Sequence, residues 1–246
     1  MMKVVLSERL MMSARMAGYN HVAADIGCDH AHMDIWLLQN GLADACIAMD
    51  VRPGPLEKAK RNLELYGCDR KVELRLGNGF AQLRPGEADC AFLTGMGGAL
   101  MTQILEEGLG TNGHLKNAPP KKLILQPQSH VYDVRRWLGC NRWRIVDEDM
   151  VYEDGKYYVS VLTEPYDPQT EQSEAGYERL NDVQLEFGPV LCRKKPDTFM
   201  KYLEMYERKC NRKIEELKNA KTQEACGRSG HFEWLKREAA KLLSST

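Results

Sequence analysis

The stretch Val22-Ala-Ala-Asp-Ile-Gly-Cys-Asp-His30 decides the fold. It begins as a short apolar run that carries Asp25 near its end, turns at Gly27 and continues into a helix-like segment. A run of this length, bounded by a glycine turn, is typical of a buried parallel strand that leads into a helix. Open α/β sheets bind ligands at the carboxyl ends of their strands, so Asp25, Gly27 and Asp29 are predicted to lie at a ligand site.

The residues of this turn indicate the charge of the ligand. Several carboxylates lie close together, and they repel a phosphate group. The G-x-G-x-x-G pattern of dinucleotide-binding turns is also absent from the sequence. Gly27 lacks a Cβ and lets the backbone approach a ligand closely. A cationic ligand is therefore favoured, and S-adenosylmethionine, which carries an ammonium and a sulfonium, is the candidate.

Composition limits the class of protein. A chain of 246 residues accommodates one large domain, or a medium domain with an appendage. It contains no apolar stretch long enough to cross a membrane, and the N-terminal segment with Glu8 does not resemble a signal peptide. The eight cysteines are scattered without a C-x-x-C pair, which predicts buried thiols in a reducing cytoplasm and no zinc site. No feature indicates an obligate protein partner.

Charge is distributed unevenly along the chain. Residues 193–246 contain 14 Lys and Arg against 8 Asp and Glu, whereas residues 1–192 contain 20 basic and 27 acidic side chains. A basic C-terminal region indicates a polyanionic partner. An ordinary solvated helix face is the alternative interpretation.

Up to residue 163 the chain alternates strand-like and helix-like segments. Later strands are predicted at 45–50, 72–76, 89–93 and 123–125, and helices at 5–18, 33–39, 55–66, 98–104 and 135–138. Asp154-Gly155 between two strand-like runs predicts a hairpin. The pattern predicts the α/β fold of a class I methyltransferase, a Rossmann-like, seven-stranded, mostly parallel sheet with an antiparallel edge.

A second region is predicted after this sheet. We expect a methyltransferase domain over residues 1–163 and, over residues 164–246, a connector with a short helix near 176–187 and a two-helix appendage. Apolar residues recur three and four positions apart from Phe199 to Leu217 and again from Phe232 to Leu242. This spacing predicts that the two helices pack as a short antiparallel coiled coil.

Polar residues follow the predicted strands. Asp50 comes 23 residues after Gly27, near the separation at which a carboxylate reaches a ribose hydroxyl, although a strand-end acid needs no ligand. Asn78 can meet an adenine edge, but Asn-Gly also favours a tight turn. The corner Thr94-Gly-Met-Gly-Gly98 leaves room for a planar substrate near the methyl donor, or is a plain glycine turn.

Two other interpretations of the first turn are disfavoured. His30-Ala-His32-Met-Asp34 has the H-x-H-x-D form of some two-metal hydrolases. Those sites need a further histidine at the next position, where this chain has Ile35, and the remaining histidines are isolated. Cys28 has no obvious base nearby, so a buried thiol is favoured over a nucleophile.

These residues together resemble the family of bacterial tRNA (adenine(22)-N(1))-methyltransferases, TrmK. The resemblance covers roughly residues 5–163 and continues more loosely into the C-terminal helices. Its carriers are Leu6-Ser-Glu-Arg9-Leu10, Ala24-Asp-Ile-Gly-Cys-Asp-His-Ala31, Gly77-Asn-Gly79, Gly95-Met-Gly-Gly98, Leu123-Ile-Leu-Gln-Pro127, Arg135 with Trp137-Leu138, and Glu153-Asp-Gly-Lys156. It implies S-adenosylmethionine as the methyl donor and N1 of adenine 22 in the tRNA D-arm as the acceptor.

The resemblance and the strand-end positions together define the candidate site. The cofactor-binding candidates are Asp25, Gly27, His30, Asp50, Asn78, Gly79 and Gly95. The substrate-binding candidates are Arg9, Met96, Gly97, Gln126, Pro127 and Arg135, and Arg136 is a further candidate for tRNA phosphates. Asp29 is the catalytic candidate, because a carboxylate stabilises the charge that develops on the methylated base. A helix cap is the alternative role for Asp29.

Three departures from the family pattern keep other functions open. Gly77-Asn-Gly79 stands for the usual Gly-Asp-Gly, His32-Met-Asp34 for Tyr-Leu-Pro, and Gln128 for Asn. The alternatives are a non-catalytic S-adenosylmethionine-binding RNA adaptor and a methyltransferase of another RNA or small molecule. The absence of an N-P-P-Y motif after the fourth strand argues against methylation at N6 of adenine.

Overall fold

The computed structural model describes residues 2–166, 180–218 and 223–245, without the side chains of 218 and 223–227. The chain divides into two compact units, residues 1–190 and 191–246. The sequence-based boundary after residue 163 differs from this division by the segment up to Val190, and it stays a prediction. Of the short helix predicted near 176–187, residues 176–179 lie outside the described part of the chain.

The first unit contains one sheet flanked by helices. Its strands are β1 Asn20–Ile26, β2 Ala43–Asp50, β3 Val72–Leu76, β4 Cys90–Met96, β5 Lys122–Pro127, β6 Trp143–Glu153 and β7 Lys156–Pro165. Its helices are α1 Glu8–Ala17, α2 His32–Gln39, α3 Pro53–Tyr66, α4 Gly98–Leu109, α5 Val131–Cys140 and α6 Asp182–Phe187. A short helix, α7 Pro189–Lys194, crosses the division between the units.

The seven strands lie in the order β3-β2-β1-β4-β5-β7-β6. β1 to β5 pair in parallel, whereas β7 is antiparallel to both β5 and β6. After β3 the chain crosses to the other half of the sheet and continues as β4, next to β1. The strand order therefore reverses between β1 and β4, and such sheets bind ligands at this switch point. The predicted class I methyltransferase fold is confirmed.

The hairpin between β6 and β7 follows from its turn residues. Asp154 has φ +48° and Gly155 has φ +79°, the two positive values that a two-residue type I′ turn requires. Glu153 pairs with Lys156 directly across this turn. The predicted hairpin is confirmed.

Several strands and helices are longer in the structure than the sequence predicts. The fourth strand was expected to end at Leu93, but β4 continues to Met96 through a register shift opposite β5. Gly95 adopts φ +75° at this irregularity, so the glycine that suggested a corner instead bends a continuing strand. α4 and α5 also extend beyond the predicted residues 98–104 and 135–138.

The second unit is built from α8 Asp197–Lys218 and α9 Gln223–Ser244, which pack against each other. The buried residues of the predicted seams are Phe199, Leu203, Cys210 and Ile214 on α8, and Leu235 and Ala239 on α9. The coiled-coil detail of this packing stays a prediction. Among the described residues, no helix is both long enough and apolar enough to span a bilayer.

Candidate active site

A cavity of about 600 Å³ opens where β1, β2, β3 and β4 end. Its size is within the range of small-molecule sites. Predicted site residues that line it are Arg9, Asp25, Gly27, Asp29, His30, Asp50, Asn78, Gly79, Gly95 and Met96. The structure therefore brings most of the predicted site residues to one place.

The turn after β1 forms one wall of this cavity. The backbone N–H groups of Gly27 and Cys28 both donate to the carbonyl oxygen of Met49, at 2.8 and 2.9 Å. Gly27 has φ +82°, and a Cβ on it would lie 3.4 Å from Cε of Met96. A side chain at this position would be strained and would narrow the cavity.

Carboxylates line the same wall. Asp25 is 4% exposed and Asp50 is 6% exposed, whereas the side chain of Asp29 is 65% exposed. Burial raises the pKa of Asp25 well above its usual value, and the neighbouring carboxyl of Asp34 raises it further. Asp50 accepts a hydrogen bond from the backbone N–H of Arg52 at 2.9 Å.

The end of β3 completes the edge of the cavity. The N–H of Gly77 donates to the carbonyl of Asp50 at 3.0 Å, which ties this turn to β2. Gly79 has φ +53°, and a Cβ on it would lie 2.8 Å from Cγ2 of Ile104, so a larger residue does not fit without displacement. Asn78 is exposed at the rim.

The sequence interpretation missed the apolar lining. Val51 and Leu100 are exposed apolar side chains that line the cavity, together with Ile104. Their positions next to Asp50 and in α4, directly after the glycine-rich strand end, are the signal that could have identified them. Apolar walls with polar groups at the ends suit a nucleoside.

Arg9 is held at the cavity from the side of α1. Its Nη1 donates to Oε1 of Gln126 at 2.9 Å, and its Nε lies 3.5 Å from Oε2 of Glu153. The guanidinium also lies over the ring of Tyr158, 5.5 Å from its centroid. A Cβ on Gly95 would be 3.6 Å from Nη1 of Arg9, so the cation faces the bend of β4.

Gly97, Gln126 and Pro127 do not line the cavity. Gln126 is buried in β5 and donates from Nε2 to the carbonyl of Arg9 at 2.7 Å and to Oγ of Ser13 at 2.8 Å. Gly97 immediately precedes α4, and Pro127 is buried at the end of β5. Gln126 therefore fixes the position of Arg9 through hydrogen bonds to its guanidinium and to its backbone carbonyl.

Arg135 requires a correction. Its side chain is only 2% exposed, and its Nε pairs with Oε1 of Glu148 at 2.8 Å. Its Nη1 donates to the carbonyls of Leu185 and Glu186 at 3.0 and 2.7 Å. The structure thus shows Arg135 in an internal ion pair, where it cannot make the predicted substrate contact. The adjacent Arg136 is exposed and lies 3.2 Å from Asp133.

The alternative role of Asp29 as a helix cap is wrong. The residue before α2 is Ala31, and no side chain caps this helix. Asp29 itself adopts φ +50°, and its carboxylate lies 3.5 Å from Nε2 of His30. Nδ1 of His30 is buried without a hydrogen-bond partner among the described residues, which leaves it available to a ligand in the cavity.

The disfavoured interpretations gain no support. His32 contacts Nδ2 of Asn62 through its Nε2 at 3.3 Å, and burial followed by the neighbouring His30 lowers its pKa. Burial also raises the pKa of the Cys28 thiol, which therefore remains protonated. Within the part of the chain that the structure describes, no cluster of three His, Cys, Asp or Glu residues could hold a metal ion.

The donor set fits S-adenosylmethionine. Buried carboxylates at the ends of β1 and β2 match its cationic and ribose groups, and the apolar rim at β3 and α4 matches its adenine. A seven-stranded sheet with this site at its switch point defines a class I, S-adenosylmethionine-dependent methyltransferase.

Comparison with known proteins identifies the family. The family described as tRNA (adenine(22)-N(1))-methyltransferase, TrmK, matches residues 23–229. The enzyme of that name from Bacillus subtilis (strain 168) is 35% identical over 202 residues, which cover 82% of this chain and 81% of that one. The chain belongs to the TrmK family.

Solved structures agree with this assignment. The crystal structure of B. subtilis TrmK has a TM-score of 0.83 at 29% identity, covering 98% of this chain and 100% of that one. Streptococcus pneumoniae Sp1610 in complex with S-adenosyl-L-methionine has a TM-score of 0.81 at 29% identity, covering 97% and 100%. The likeness therefore extends over nearly the whole chain.

Proposed function

We propose that this protein transfers a methyl group from S-adenosylmethionine to N1 of adenine 22 in the D-arm of tRNA. The proposal is carried by the cavity at the switch point of the sheet, which is lined by carboxylates, by glycines at strand ends and by the cation of Arg9. The family of the chain supports it. The B. subtilis relative is a tRNA (adenine(22)-N(1))-methyltransferase, and the related Streptococcus pneumoniae structure contains the donor.

The donor is held by the walls at β1, β2 and β3. The Asp50 carboxylate accepts hydrogen bonds from the ribose hydroxyls, and the Asn78 amide meets the adenine edge. Asp25 receives the ammonium, and His30 offers its unpaired Nδ1. Glycines let the donor approach the backbone closely, at Gly27, Gly79 and Gly95.

The chemistry requires alignment more than proton transfer. S-adenosylmethionine supplies a methyl group on a positively charged sulfur, which a lone pair can attack directly. Because N1 of adenine already has a lone pair, the protein's task is to hold the base in line at near-attack distance. The exposed Asp29 carboxylate then stabilises the positive charge that develops on the base.

The acceptor enters from the side of β4 and α1. A base must be unstacked to reach such a cavity, which costs a few kcal/mol and favours irregular regions of tRNA. Met96 lines the cavity that receives this base, whereas Gln126 acts through its hydrogen bonds to Arg9. Arg9 and the exposed Arg136 contact tRNA phosphates, as do basic side chains of residues 193–246.

The partner and the compartment follow from the reaction. A tRNA-modifying enzyme acts where tRNA is used, so we assign the protein to the cytoplasm. The seven described cysteines are free thiols, which suits a reducing compartment. The proposal requires neither a metal ion nor a second protein.

The test is a methylation assay on two unmodified tRNA transcripts, one with A22 and one with G22. After incubation with S-adenosylmethionine, nucleoside mass spectrometry should detect 1-methyladenosine in the first transcript alone. Donor binding without any methylated nucleoside would instead identify an RNA adaptor. A product at another position or base would identify a methyltransferase of different specificity.

A further inference from the structure

The turn between β1 and α2 is held from α3 by the side chain of Asn62. Nδ2 of Asn62 donates to the backbone carbonyl of His30 at 3.0 Å and lies 3.3 Å from Nε2 of His32. His30 and His32 line the cavity, whereas Asn62 does not. Asn62 therefore contacts the cavity wall from outside, and it does so at the segment His32-Met-Asp34, in which this sequence departs from the family pattern.

These two contacts determine how the amide of Asn62 is oriented. A backbone carbonyl oxygen can only accept, so the part of the amide that faces the carbonyl of His30 is the NH2 group. This group has a second hydrogen, and Nε2 of His32 lies within its reach. Because Nδ2 can only donate, Nε2 must offer a lone pair, and the proton of the neutral imidazole is then on Nδ1.

The same turn has a strained backbone. Asp29 and Ala31 adopt φ +50° and +57°, a left-handed conformation that costs about 1–2 kcal/mol for a residue with a Cβ. Such residues persist where the surrounding contacts fix them. The N–H of Ala31 donates to the carbonyl of Cys28 at 2.8 Å, and Asn62 holds the carbonyl of His30 between the two strained residues. These contacts keep the carboxylate of Asp29 at the cavity.

The charge of the His32 ring affects which ligands the cavity can accept. The titratable groups that act on this ring are His30 and Asp29, both from the turn, and α3 contributes the amide of Asn62. Burial lowers the pKa of His32 and the neighbouring His30 lowers it further, against the opposing effect of Asp29. The ring is therefore neutral at pH 7, and it does not repel a cationic ligand.

We propose that Asn62 is a positioning residue for methyl transfer. Its two donated hydrogen bonds fix the turn that carries Asp29, and they hold His32 neutral, with its proton on Nδ1, at the wall of the cavity. Because Asn62 does not line the cavity, it acts through these neighbours. The role rests on the proposed function, in which Asp29 stabilises the positive charge on the methylated base.

The position of the proton is tested by NMR of the ligand-free protein with 15N-labelled histidine at pH 7. The signals of His32 are assigned by their loss in His32→Gln, and in the wild type they should show the proton on Nδ1. Asn62→Asp has the same shape but can only accept, so it should move the proton to Nε2 and raise the pKa of His32. Asn141→Leu, which removes an amide-to-carbonyl contact at the end of α5, should leave these signals unchanged.

Methylation kinetics test the positioning role. Asn62→Asp should lower kcat for tRNA methylation about tenfold, because Asp29 loses its fixed position. KM for tRNA and the affinity for S-adenosylhomocysteine should stay near those of the wild type. Asn62→Leu removes the amide without adding a charge, and it should lower kcat by a similar factor. Asn141→Leu should keep the wild-type kcat.

The outcomes separate this role from the proposed function. The positioning role is overturned if the wild-type His32 carries its proton on Nε2, or if Asn62→Asp turns over as fast as the wild type. Either result leaves the proposed function intact. A wild type that methylates no tRNA would overturn the proposed function and, with it, the role of Asn62 in methyl transfer.

Discussion

Two regions of the first unit bury carboxyl groups, and they treat them in opposite ways. Glu148 of β6 pairs with Arg135 at 2.8 Å and accepts from the backbone N–H of Val190 at 2.9 Å. Asp25, at the end of β1, and Asp34, on α2, are also buried, but neither oxygen of Asp34 has a hydrogen-bond partner among the described residues. The charge of Glu148 is neutralised within the fold, whereas the carboxyl group of Asp25 faces the cavity.

The difference separates structural from ligand-binding acids. A buried carboxylate is costly unless a cation and hydrogen bonds compensate it. Where the fold supplies that compensation, as for Glu148, the group stabilises packing. Where it does not, burial raises the pKa of the acid, as for Asp25, and such a group in a cavity is a candidate for binding a cationic ligand, which we propose is the methyl donor.

The largest effect is expected at the structural pair. Arg135→Met leaves Glu148 buried without its cation, so the free energy of unfolding should fall by about 3–5 kcal/mol. Arg136→Met removes an exposed charge and should cost less than about 1 kcal/mol. Denaturant titration measures both. Equal stability of the two variants would contradict the claim that Arg135 compensates the buried charge of Glu148.

At the cavity, the largest effect is expected in catalysis. Asp29→Ala should lower the rate of tRNA methylation by about 10²–10³-fold, because the developing positive charge loses its carboxylate. Affinity for S-adenosylhomocysteine should stay near that of the wild type. Asp69→Ala, at an exposed loop acid remote from the cavity, is the control. Unchanged turnover would remove Asp29 from the mechanism.

The buried Asp34 should also make the free energy of unfolding depend on pH. The pKa of Asp34 is raised to about 6 in the folded state, against about 4 in the unfolded chain. The folded protein therefore binds more protons in this range, and its stability is highest below about pH 4 as far as this group is concerned. From there to above pH 6 the wild type should lose about 2–3 kcal/mol relative to Asp34→Asn. If the free energies of unfolding of the two proteins, measured by denaturant titration, changed equally with pH, the raised pKa of Asp34 would be refuted.

A smaller effect is expected at the cavity's cation. Arg9→Lys keeps the charge but loses the fork that contacts Gln126 and Glu153. We expect a rise of about tenfold in KM for tRNA, equivalent to about 1.4 kcal/mol, with little change in donor affinity. Arg15→Lys, at an exposed position of the same helix, should leave KM unchanged. A similar KM for both variants would show that Arg9 acts only as a charge.

The sheet and the cavity were predictable because their signals are local. Apolar runs ending at glycine turns identify parallel strands, and the acids that follow them must meet at one edge. Asp154-Gly155 specifies its turn by itself. The bend at Gly95 was not predictable, since a glycine is equally compatible with a strand end and with a register shift inside a strand.

The roles of Arg135 and Asp34 depend on partners distant in sequence. Arg135 follows a helical pattern next to Trp137, and nothing local indicates that Glu148 and the carbonyls of α6 enclose it. Asp34 resembles an ordinary polar residue in the first turn of a helix. Its complete burial becomes visible only once α2 is packed on the sheet.

The most direct test of the account compares the two acids of β2, Asp50 at its carboxyl end and Asp44 near its start. Titration calorimetry with S-adenosylmethionine should show that Asp50→Asn weakens binding by about 10–100-fold, as expected for the loss of charged hydrogen bonds to the ribose. Asp44→Asn should bind as the wild type does. Wild-type affinity in Asp50→Asn would contradict the claim that the methyl donor is bound at the carboxyl edge of the sheet.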